Sequence, residues 1–358
     1  MKHYLQSAMN YVARTRPFET TVFLTSSCNF RCDHCFYWNE LNRKEELTLE
    51  EFRLLAQSMP TLERFQFTGG EPFLRKDIDE IIAEFYRCSR PMYITIPTNG
   101  YLTNTIIEKT ESIMKMAPDC FVNISLQLND LGEKRDESVK VKGSFDHLVN
   151  TARELNILKT KFPNLGLTVI CIQTAANQHR VRQIYDFAQD EFEVDNFAYS
   201  VVRGNPKKPD VKNIDPRIYH QMCNHLLESY KEKSADSKIP LYRLFLTNRE
   251  LVYDYTYRTL VQDSYQIKCY AGILRAVILE NGDVYPCEIL MEHGDEYSLG
   301  NLRDFDMDFM RLWKSEKRKE ITRRIAEQKC FCTHGCDMMV NTMFNKKFPF
   351  LVMRKLIS

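Results

Sequence analysis

Residues 21–35 of the chain read TVFLTSSCNFRCDHC. Thr21–Thr25 is rich in β-branched and apolar residues and predicts a strand. Cys28, Cys32 and Cys35 follow it directly, so they lie on a loop at the strand's carboxyl end. The pattern extends outward from there. Further β-rich runs stand at Phe65–Thr68, Met92–Ile96, Phe121–Leu126, Leu167–Ile172 and Phe197–Val202. Between them, apolar residues at three- and four-residue spacing predict helices over Asp77–Arg87, Thr105–Met116, Ser144–Lys159 and Arg180–Phe192. Thr48 and Glu51 form a capping-box pattern that opens one more helix, and Pro60 closes that segment. Strands alternating with helices predict an α/β fold of parallel βαβ units with right-handed crossovers. A doubly wound sheet and a full or partial (βα) barrel both satisfy the pattern. Both gather ligands at the carboxyl ends of their strands.

Composition sets the bounds. The chain has 358 residues, 44% hydrophobic and 27% charged, near globular averages, which excludes a disordered or collagen-like chain. Lys plus Arg is 49 against 48 for Asp plus Glu, a net charge of +1, so no nucleic-acid partner is expected. The 12 cysteines are too sparse for a small disulfide scaffold. The N-terminal segment carries Lys2, Arg14, Arg16 and Glu19 around short apolar stretches and lacks the core of a signal peptide. No run approaches the ~20 apolar residues that span a bilayer. A cytoplasmic location is expected, where cysteines serve metals or catalysis more often than bridges.

Three thiolates within one short loop converge readily on one metal centre. Zinc normally takes four ligands, and His34 is available as a fourth. Three cysteines also suit a four-iron cluster with one iron left open to a small chelating ligand. Spacing and context together resemble the radical S-adenosylmethionine (SAM) enzymes. Their signature is Cys-x3-Cys-x2-Cys after the first strand of a partial (βα)6 TIM-like barrel. The family usually places an aromatic residue before the third cysteine; His34 fills that place here, with Phe30, Phe36 and Tyr37 flanking it. The resemblance implies that Cys28, Cys32 and Cys35 hold a [4Fe-4S] cluster whose open iron binds the amino and carboxylate groups of SAM. One-electron reduction would then cleave SAM to methionine and a 5′-deoxyadenosyl radical that abstracts a substrate hydrogen. It also implies a low-potential electron donor such as flavodoxin or ferredoxin.

Motifs at later strand ends fit the same resemblance. Strand two ends in Thr68-Gly69-Gly70-Glu71-Pro72, where the glycines permit unusual backbone angles and close ligand approach. In the family this turn hydrogen-bonds the SAM amino group, so Gly69, Gly70, Glu71 and Pro72 are candidate cofactor-binding residues. Asn99, in Thr98-Asn99-Gly100 at the end of strand three, is another. Ser125 and Gln127 alternate onto one face of strand four, where the family contacts the SAM carboxylate or ribose. Val169, Cys171 and Gln173 share a face of strand five, where the family places contacts near the adenosyl group. Gln173 is a cofactor-binding candidate. Cys171 is a candidate hydrogen-atom donor, with a buried packing cysteine as the alternative. Arg203, beyond strand six, is a candidate partner for a carboxylate of SAM or substrate, with a surface arginine as the alternative.

The second cysteine group lies far downstream. Gly204–Asp215 reads as a linker, Tyr219–Lys233 as a helix and Leu241–Gln262 as partly helical. Cys269, Cys287, Cys330, Cys332 and Cys336 follow. Asn281-Gly282-Asp283 predicts a hairpin turn between apolar strands Ile273–Leu279 and Val284–Tyr285, which brings Cys269 near Cys287. This arrangement resembles the SPASM/Twitch extension of radical SAM enzymes, which opens with Cys-x(9–15)-Gly-x4-Cys and binds auxiliary [4Fe-4S] clusters. Five cysteines are too few for the family's two-cluster version and imply one auxiliary cluster. Its expected ligands are Cys269, Cys287 and Cys336, with Cys332 or Cys330 as the fourth; a structural zinc site is the alternative. Cys88, Cys120 and Cys223 read as packing cysteines.

The expected organisation is a partial barrel over 18–205 and a linker with helices over 206–265. A SPASM/Twitch-like domain with a β-hairpin and a helix follows over 266–345, then an apolar, basic tail over 346–358. The tail reads as docked, with peripheral membrane contact as the other option. The expected reaction is a dehydrogenation-type oxidation of a small metabolite. The stretch before strand one is too short for the peptide-recognition module that many peptide-modifying relatives carry. A maturase that crosslinks or epimerises a ribosomally made peptide is the alternative. A zinc-binding interaction protein is the alternative from another class.

Overall fold

Each of the six expected runs forms a strand, and each strand pairs in parallel with the next in chain order. The computed structural model describes residues 13–234 and 240–357; Lys2 and the rest of the segment read for a signal peptide lie mostly outside them. The barrel order is β1 (Glu19–Phe23), α1 (Leu49–Ser58), β2 (Arg64–Thr68), α2 (Ile78–Ser89), β3 (Tyr93–Thr98) and α3 (Thr103–Met116). It continues with β4 (Phe121–Gln127), α4 (Gly132–Val139), α5 (Ser144–Lys159), β5 (Leu165–Gln173), α6 (Val181–Phe192) and β6 (Asn196–Val201). The chain is an α/β protein with a partial (βα)6 barrel, open beyond β6. Helix α1 starts with the expected capping box: Glu51 N donates to Thr48 Oγ1 at 3.2 Å and Thr48 N to Glu51 Oε2 at 2.8 Å. Helix α4 was not expected, because its sequence GEKRDESV has no apolar stripe and buries only Arg135 and Val139.

Alternation gives the sheet two chemically different faces. On β4, Val122, Ile124 and Leu126 join the main apolar core beneath the helices, and Asn123, Ser125 and Gln127 face the barrel interior. Residues in register across a parallel pair share a face. Ser125 pairs with Thr168 and Gln127 with Ile170, so Thr168, Ile170 and Ile172 line the interior of β5. This register corrects the expectation for strand five. Val169 and Cys171 pack outward in the main core, and Cys171 is fully buried there. Gln173 lies on that same outer side, where its Oε1 accepts from Tyr199 Oη at 2.6 Å. Cys120 and Cys223 are buried and Cys88 partly so, as packing cysteines should be.

Helices α7 (Pro216–Ser234) and α8 (Pro240–Gln262) pack on each other after the barrel. The chain then returns to the sheet. Strand β7 (Arg275–Ile278) pairs in parallel with β1, and β8 (Asp283–Tyr285) and β9 (Gly300–Asn301) extend it antiparallel. One nine-stranded sheet in the order β6-β5-β4-β3-β2-β1-β7-β8-β9 therefore carries both cysteine groups. Helices α9 (Phe309–Trp313), α10 (Glu316–Glu327), α11 (Gly335–Met343) and α12 (Phe348–Ile357) complete the chain. Both α11 and α12 pack on α8, so the tail is docked, although Phe350 and Met353 keep exposed side chains. Among the described residues, no helix is long and apolar enough to cross a membrane.

Six charged side chains join β1, β7, α11 and the end of β6 in the interior. Arg275 pairs with Glu19 and brings its Nε to 3.0 Å from Asp337 Oδ1. His334 lies 2.6 Å from both Asp337 Oδ2 and Glu288 Oε2, and Arg203 Nη2 donates to Glu288 Oε2 at 3.0 Å. Burial and Arg203 oppose a charge on His334, but Glu288 and Asp337 outweigh them and hold its pKa well above the usual value. Against the cost of burial, Arg203 and His334 hold Glu288 below the ordinary carboxylate range, and Arg275 and His334 do so for Asp337. Arg64, half-buried on β2, adds a second partner for Glu19 at 3.0 Å, so every anion of the network faces two cations. Deleting Arg275 leaves Glu19 and Asp337 buried with one partner fewer each, and breaking such a buried pair costs about 3–5 kcal/mol. Arg275→Ala should therefore lower the urea midpoint by an equivalent amount. A midpoint within roughly 0.5 kcal/mol of wild type would mean that the chain of charges does not hold the fold together.

Candidate functional site

The loop from Ser26 to Cys35 is gripped from three directions. From the turn after β2, Gly70 N donates to Thr25 O at 2.9 Å and Glu71 N to Ser27 O at 2.8 Å. On the α4 side, Arg31 N and Asp33 N each donate at 3.1 Å, to Val139 O and Ser138 O. From the segment after β6, Lys207 N donates to Cys35 O at 3.1 Å and Lys208 N to Asp33 O at 2.9 Å. These bonds gather Cys28, Cys32 and Cys35 on one short loop, all partly exposed and unbridged. Burial pushes Cys28 up to about 12 and raises Cys32 and Cys35 as well; the neighbouring thiols add to the rise at Cys28 and Cys32. Bare thiols here stay protonated, and a cluster would take them as thiolates and release the protons. Among the described residues, no three His, Cys, Asp or Glu groups converge on a single metal ion. A four-iron cluster asks for something different, one thiolate on each of several irons, and three thiols on one loop fit that donor set.

The glycines are required by contact. A Cβ on Gly69, at φ +150°, would stand 2.3 Å from Thr25 O, and one on Gly70 would stand 2.3 Å from Ser27 O. Buried Glu71 then locks the turn onto β3. It accepts from Asn99 N at 2.8 Å, Thr98 Oγ1 at 2.8 Å and Phe73 N at 3.2 Å. Burial still pushes its pKa up to about 7 against those three bonds. Pro72 opens the short turn Pro72–Leu74. Asn99 Nδ2 donates to Asn29 Oδ1 at 2.8 Å, back to the cysteine loop. Gly69, Gly70, Glu71, Pro72 and Asn99 are thus assembled around that loop.

His34 enters the same assembly from the loop itself. The side-chain amide nitrogens of Gln127, at 3.1 Å, and Asn129, at 2.8 Å, meet its Nε2. Burial pushes its pKa down to about 4, so the imidazole is neutral with its proton on Nδ1. Ser125 sits below in a polar ladder: Asn123 Nδ2 donates to Ser125 Oγ at 2.7 Å, and Thr168 Oγ1 donates to Asn123 Oδ1 at 2.9 Å. Sequence reasoning missed Arg135. It is buried on α4, donates from Nη2 to Asn99 O at 2.7 Å, and its charge acts on Cys32. It belongs to a helix that apolar periodicity does not reveal.

In the tail, Cys269 and Cys330 lie within hydrogen-bond reach of each other, and that contact, followed by burial, raises Cys269 far above its usual value. Cys287 is raised mainly by burial and also feels Cys269 and Cys332. Cys269, Cys330 and Cys332 line one small cavity with Met338 and Asn341. Cys336, expected with Cys269 and Cys287, faces the barrel strands. It stands in the first turn of α11, and its Sγ donates to Gln66 Oε1, inside the barrel, at 3.8 Å. The neighbouring Asp337 anchors that turn to Arg275. Arg203 was expected to meet a carboxylate of SAM or substrate; its partner here is Glu288, and its guanidinium lies 4.4 Å above the Phe36 ring. It therefore connects the residue after Cys35 to the residue after Cys287. Glu288, His334 and Asp337 went unread in the sequence, although two of them directly follow cysteines.

A family model described as the radical SAM superfamily matches residues 22–188, and one described as an iron-sulfur cluster-binding domain, SPASM, matches residues 269–337. A GTP 3′,8-cyclase of Helicobacter pylori is 28% identical over 232 residues, which cover 61% of this chain and 67% of that protein. A cysteine-type anaerobic sulfatase-maturating enzyme of Clostridium novyi is 24% identical over 314 residues, 82% of this chain and 78% of that protein. Among solved structures, Streptococcus suis SuiB bound to precursor peptide SuiA has a TM-score of 0.61 at 17% identity, covering 88% of this chain and 70% of that one. The structure of anSMEcpe with bound AdoMet has a TM-score of 0.60 at 18% identity and covers 96% of both chains. At such identities these structures speak for the fold.

Two outcomes test the geometry. Gly70→Ala should displace the cysteine loop, so the anaerobically reconstituted variant should bind SAM at least roughly tenfold more weakly by calorimetry, a loss of about 1.4 kcal/mol. Wild-type affinity would show that the loop can yield. Cys330→Ser should lower the iron content of the tail, whereas Cys336→Ser should leave it near wild type by iron and sulfide assay. The reverse pattern would return Cys336 to the ligand set.

Proposed function

Because this chain belongs to the radical SAM superfamily and carries a C-terminal SPASM domain, with SAM and [4Fe-4S] clusters as its cofactors, we propose that it is an oxidoreductase acting on a substrate held inside the barrel. The observation that carries this reading is the buried chain of charges through Arg203, Glu288 and His334. It runs from the residue after Cys35 to the auxiliary cysteines across the barrel interior. When bound, the loop cluster and SAM supply the one-electron reduction that opens the reaction and the hydrogen abstraction that follows. The chain's own residues position this chemistry. Gly69, Gly70 and Glu71 set the cysteine loop against β2 and β3, and Asn99, Gln127 and Asn129 fix its register. Ile170 and Ile172 of β5, in register with Ala198 and Ser200 of β6, form an inner wall of low polarity for the reacting C–H bond. Cys269 and Cys287, with partners drawn from Cys330, Cys332 and Cys336, would hold the auxiliary cluster, and that cluster would supply an acceptor for the second electron of an oxidation.

A peptide or protein side chain is the better-supported substrate. The sulfatase-maturating relative aligns over 82% of this chain, and the SuiB structure holds a precursor peptide. The small-metabolite reading is the second, supported by the GTP 3′,8-cyclases. The zinc-protein alternative has no support from either family model. After anaerobic reconstitution with iron and sulfide, dithionite should drive release of methionine and 5′-deoxyadenosine from SAM. Cys32→Ala should abolish that cleavage, and Cys287→Ala should keep part of it while losing product. Full turnover in the Cys287 variant would refute a redox role for the tail. Stoichiometric zinc without SAM cleavage would overturn the reading as a whole.

A further inference from the structure

Arg135 is a buried cation without a carboxylate. It is 2% exposed, and among the described residues Arg275 is the only other arginine buried so deeply. Arg275 meets Glu19 and Asp337. Arg135 forms no ion pair among the described residues: its Nη2 donates to Asn99 O at 2.7 Å, and its Nε has no partner. A buried guanidinium left in this state is costly unless an anion answers it. The neighbouring carboxylates are engaged elsewhere. Asp136, next in sequence, accepts from Gly143 N, Ser144 Oγ and Phe145 N at the start of α5. Glu71, on the other side of Asn99, accepts from Phe73 N, Thr98 Oγ1 and Asn99 N. Asp33 is taken by Lys140 and Lys208.

What Arg135 does face is the cysteine loop. Its guanidinium lies 5.8 Å from the ring centroid of Phe30, which stands between Cys28 and Cys32 in sequence. Cys32 is the ionisable group that acts on it most strongly, ahead of Asp136. Further along the same helix, Ser138 O and Val139 O accept from Asp33 N and Arg31 N at 3.1 Å each, so α4 is fastened to the loop it serves. Cys28, Cys32 and Cys35 are partly exposed, and a small ligand reaches an open iron from that exposed side. Arg135 is buried, so it stands behind the loop, in the layer beneath the thiols.

We propose that Arg135 is the counter-charge of the cluster held by Cys28, Cys32 and Cys35, a positioning residue whose guanidinium offsets the negative charge that three thiolates bring and that one-electron reduction deepens. The premise is the cluster at that loop in the reading above, whatever substrate the barrel takes. On reduction one electron passes from the reductant to the cluster and no bond is made or broken, so a fixed cation beside it stabilises the reduced form over the oxidised one. Net charge and solvent exposure are among the factors that set the potential of an iron–sulfur cluster, and a buried charge is only weakly screened. Arg135 accordingly makes the loop cluster easier to reduce.

The test is a redox titration of the reconstituted full chain, without SAM, read by electron paramagnetic resonance. The signal missing from Cys32→Ala belongs to the loop cluster. Arg135→Met removes the charge and should lower that cluster's reduction constant at least roughly tenfold, about 59 mV for one electron, whereas Arg135→Lys keeps the charge and should stay within about threefold of wild type. An unchanged potential in Arg135→Met would overturn the counter-charge. So would an equal fall in both variants, which would mean that the hydrogen bond to Asn99 O matters and the charge does not. Weaker SAM binding by calorimetry at an unchanged potential would also overturn it and make Arg135 a SAM contact. If Arg135→Met is folded by circular dichroism but holds no loop cluster, Arg135→Lys decides. Iron at the wild-type level in the lysine variant supports the counter-charge, and iron lost from both overturns it. A wild type that assembles no loop cluster would overturn the cluster reading itself, and the counter-charge with it.

Discussion

Burying six charges in a protein interior is tolerable only if each finds its opposite at close range, and that constraint organises this molecule. Arg275 must meet Glu19, so β7 must lie beside β1. Asp337 must meet Arg275, so α11 must enter the open side of the barrel. His334 and Glu288 then continue the sequence of charges to Arg203 at the end of β6. The tail's position is thus specified by electrostatics as well as by strand pairing. An apolar seam would tolerate sliding, whereas an alternating series of buried charges admits one register.

A second constraint is steric and acts at the other cysteine group. The turn after β2 lies so close to the start of the cysteine loop that any side chain at Gly69 or Gly70 would collide with backbone oxygens. Glu71 turns this proximity into fixed geometry by spending its carboxylate on Phe73, Thr98 and Asn99. The site is therefore built mainly from main-chain contacts between strand ends. Side chains such as His34, Gln127 and Asn129 set its orientation.

Much of this was legible in residue order. The six strands, the capping box at Thr48 and Glu51, and the turns at Gly69-Gly70 and Asn281-Gly282 all follow from local chemistry that needs no tertiary partner. The errors arise where tertiary register decides. Period-two alternation puts Val169, Cys171 and Gln173 on one face, but only pairing with β4 says which face, and it is the outer one. Cys spacing alone does not say how Cys330, Cys332 and Cys336 are oriented, because the turn that carries Cys336 is anchored through Asp337 to its distant partner Arg275. Helix α4 escaped because its stability comes from Arg135 and Val139 reaching into the loop region, not from an apolar stripe. The charges at Glu288 and His334 carry no local signature at all.

The unbroken sheet bears on modularity. Matches to known families divide the chain into two units, yet β7 uses the edge of β1 that would otherwise be bare. A bare edge strand is an invitation to aggregate, and here it would also strip Glu19 of Arg275, leaving it only Arg64 on β2. The second unit is therefore not an accessory that the first could shed or exchange freely. Changes on either side of that shared strand boundary must be compatible with the other, and the two halves are bound to evolve as a pair.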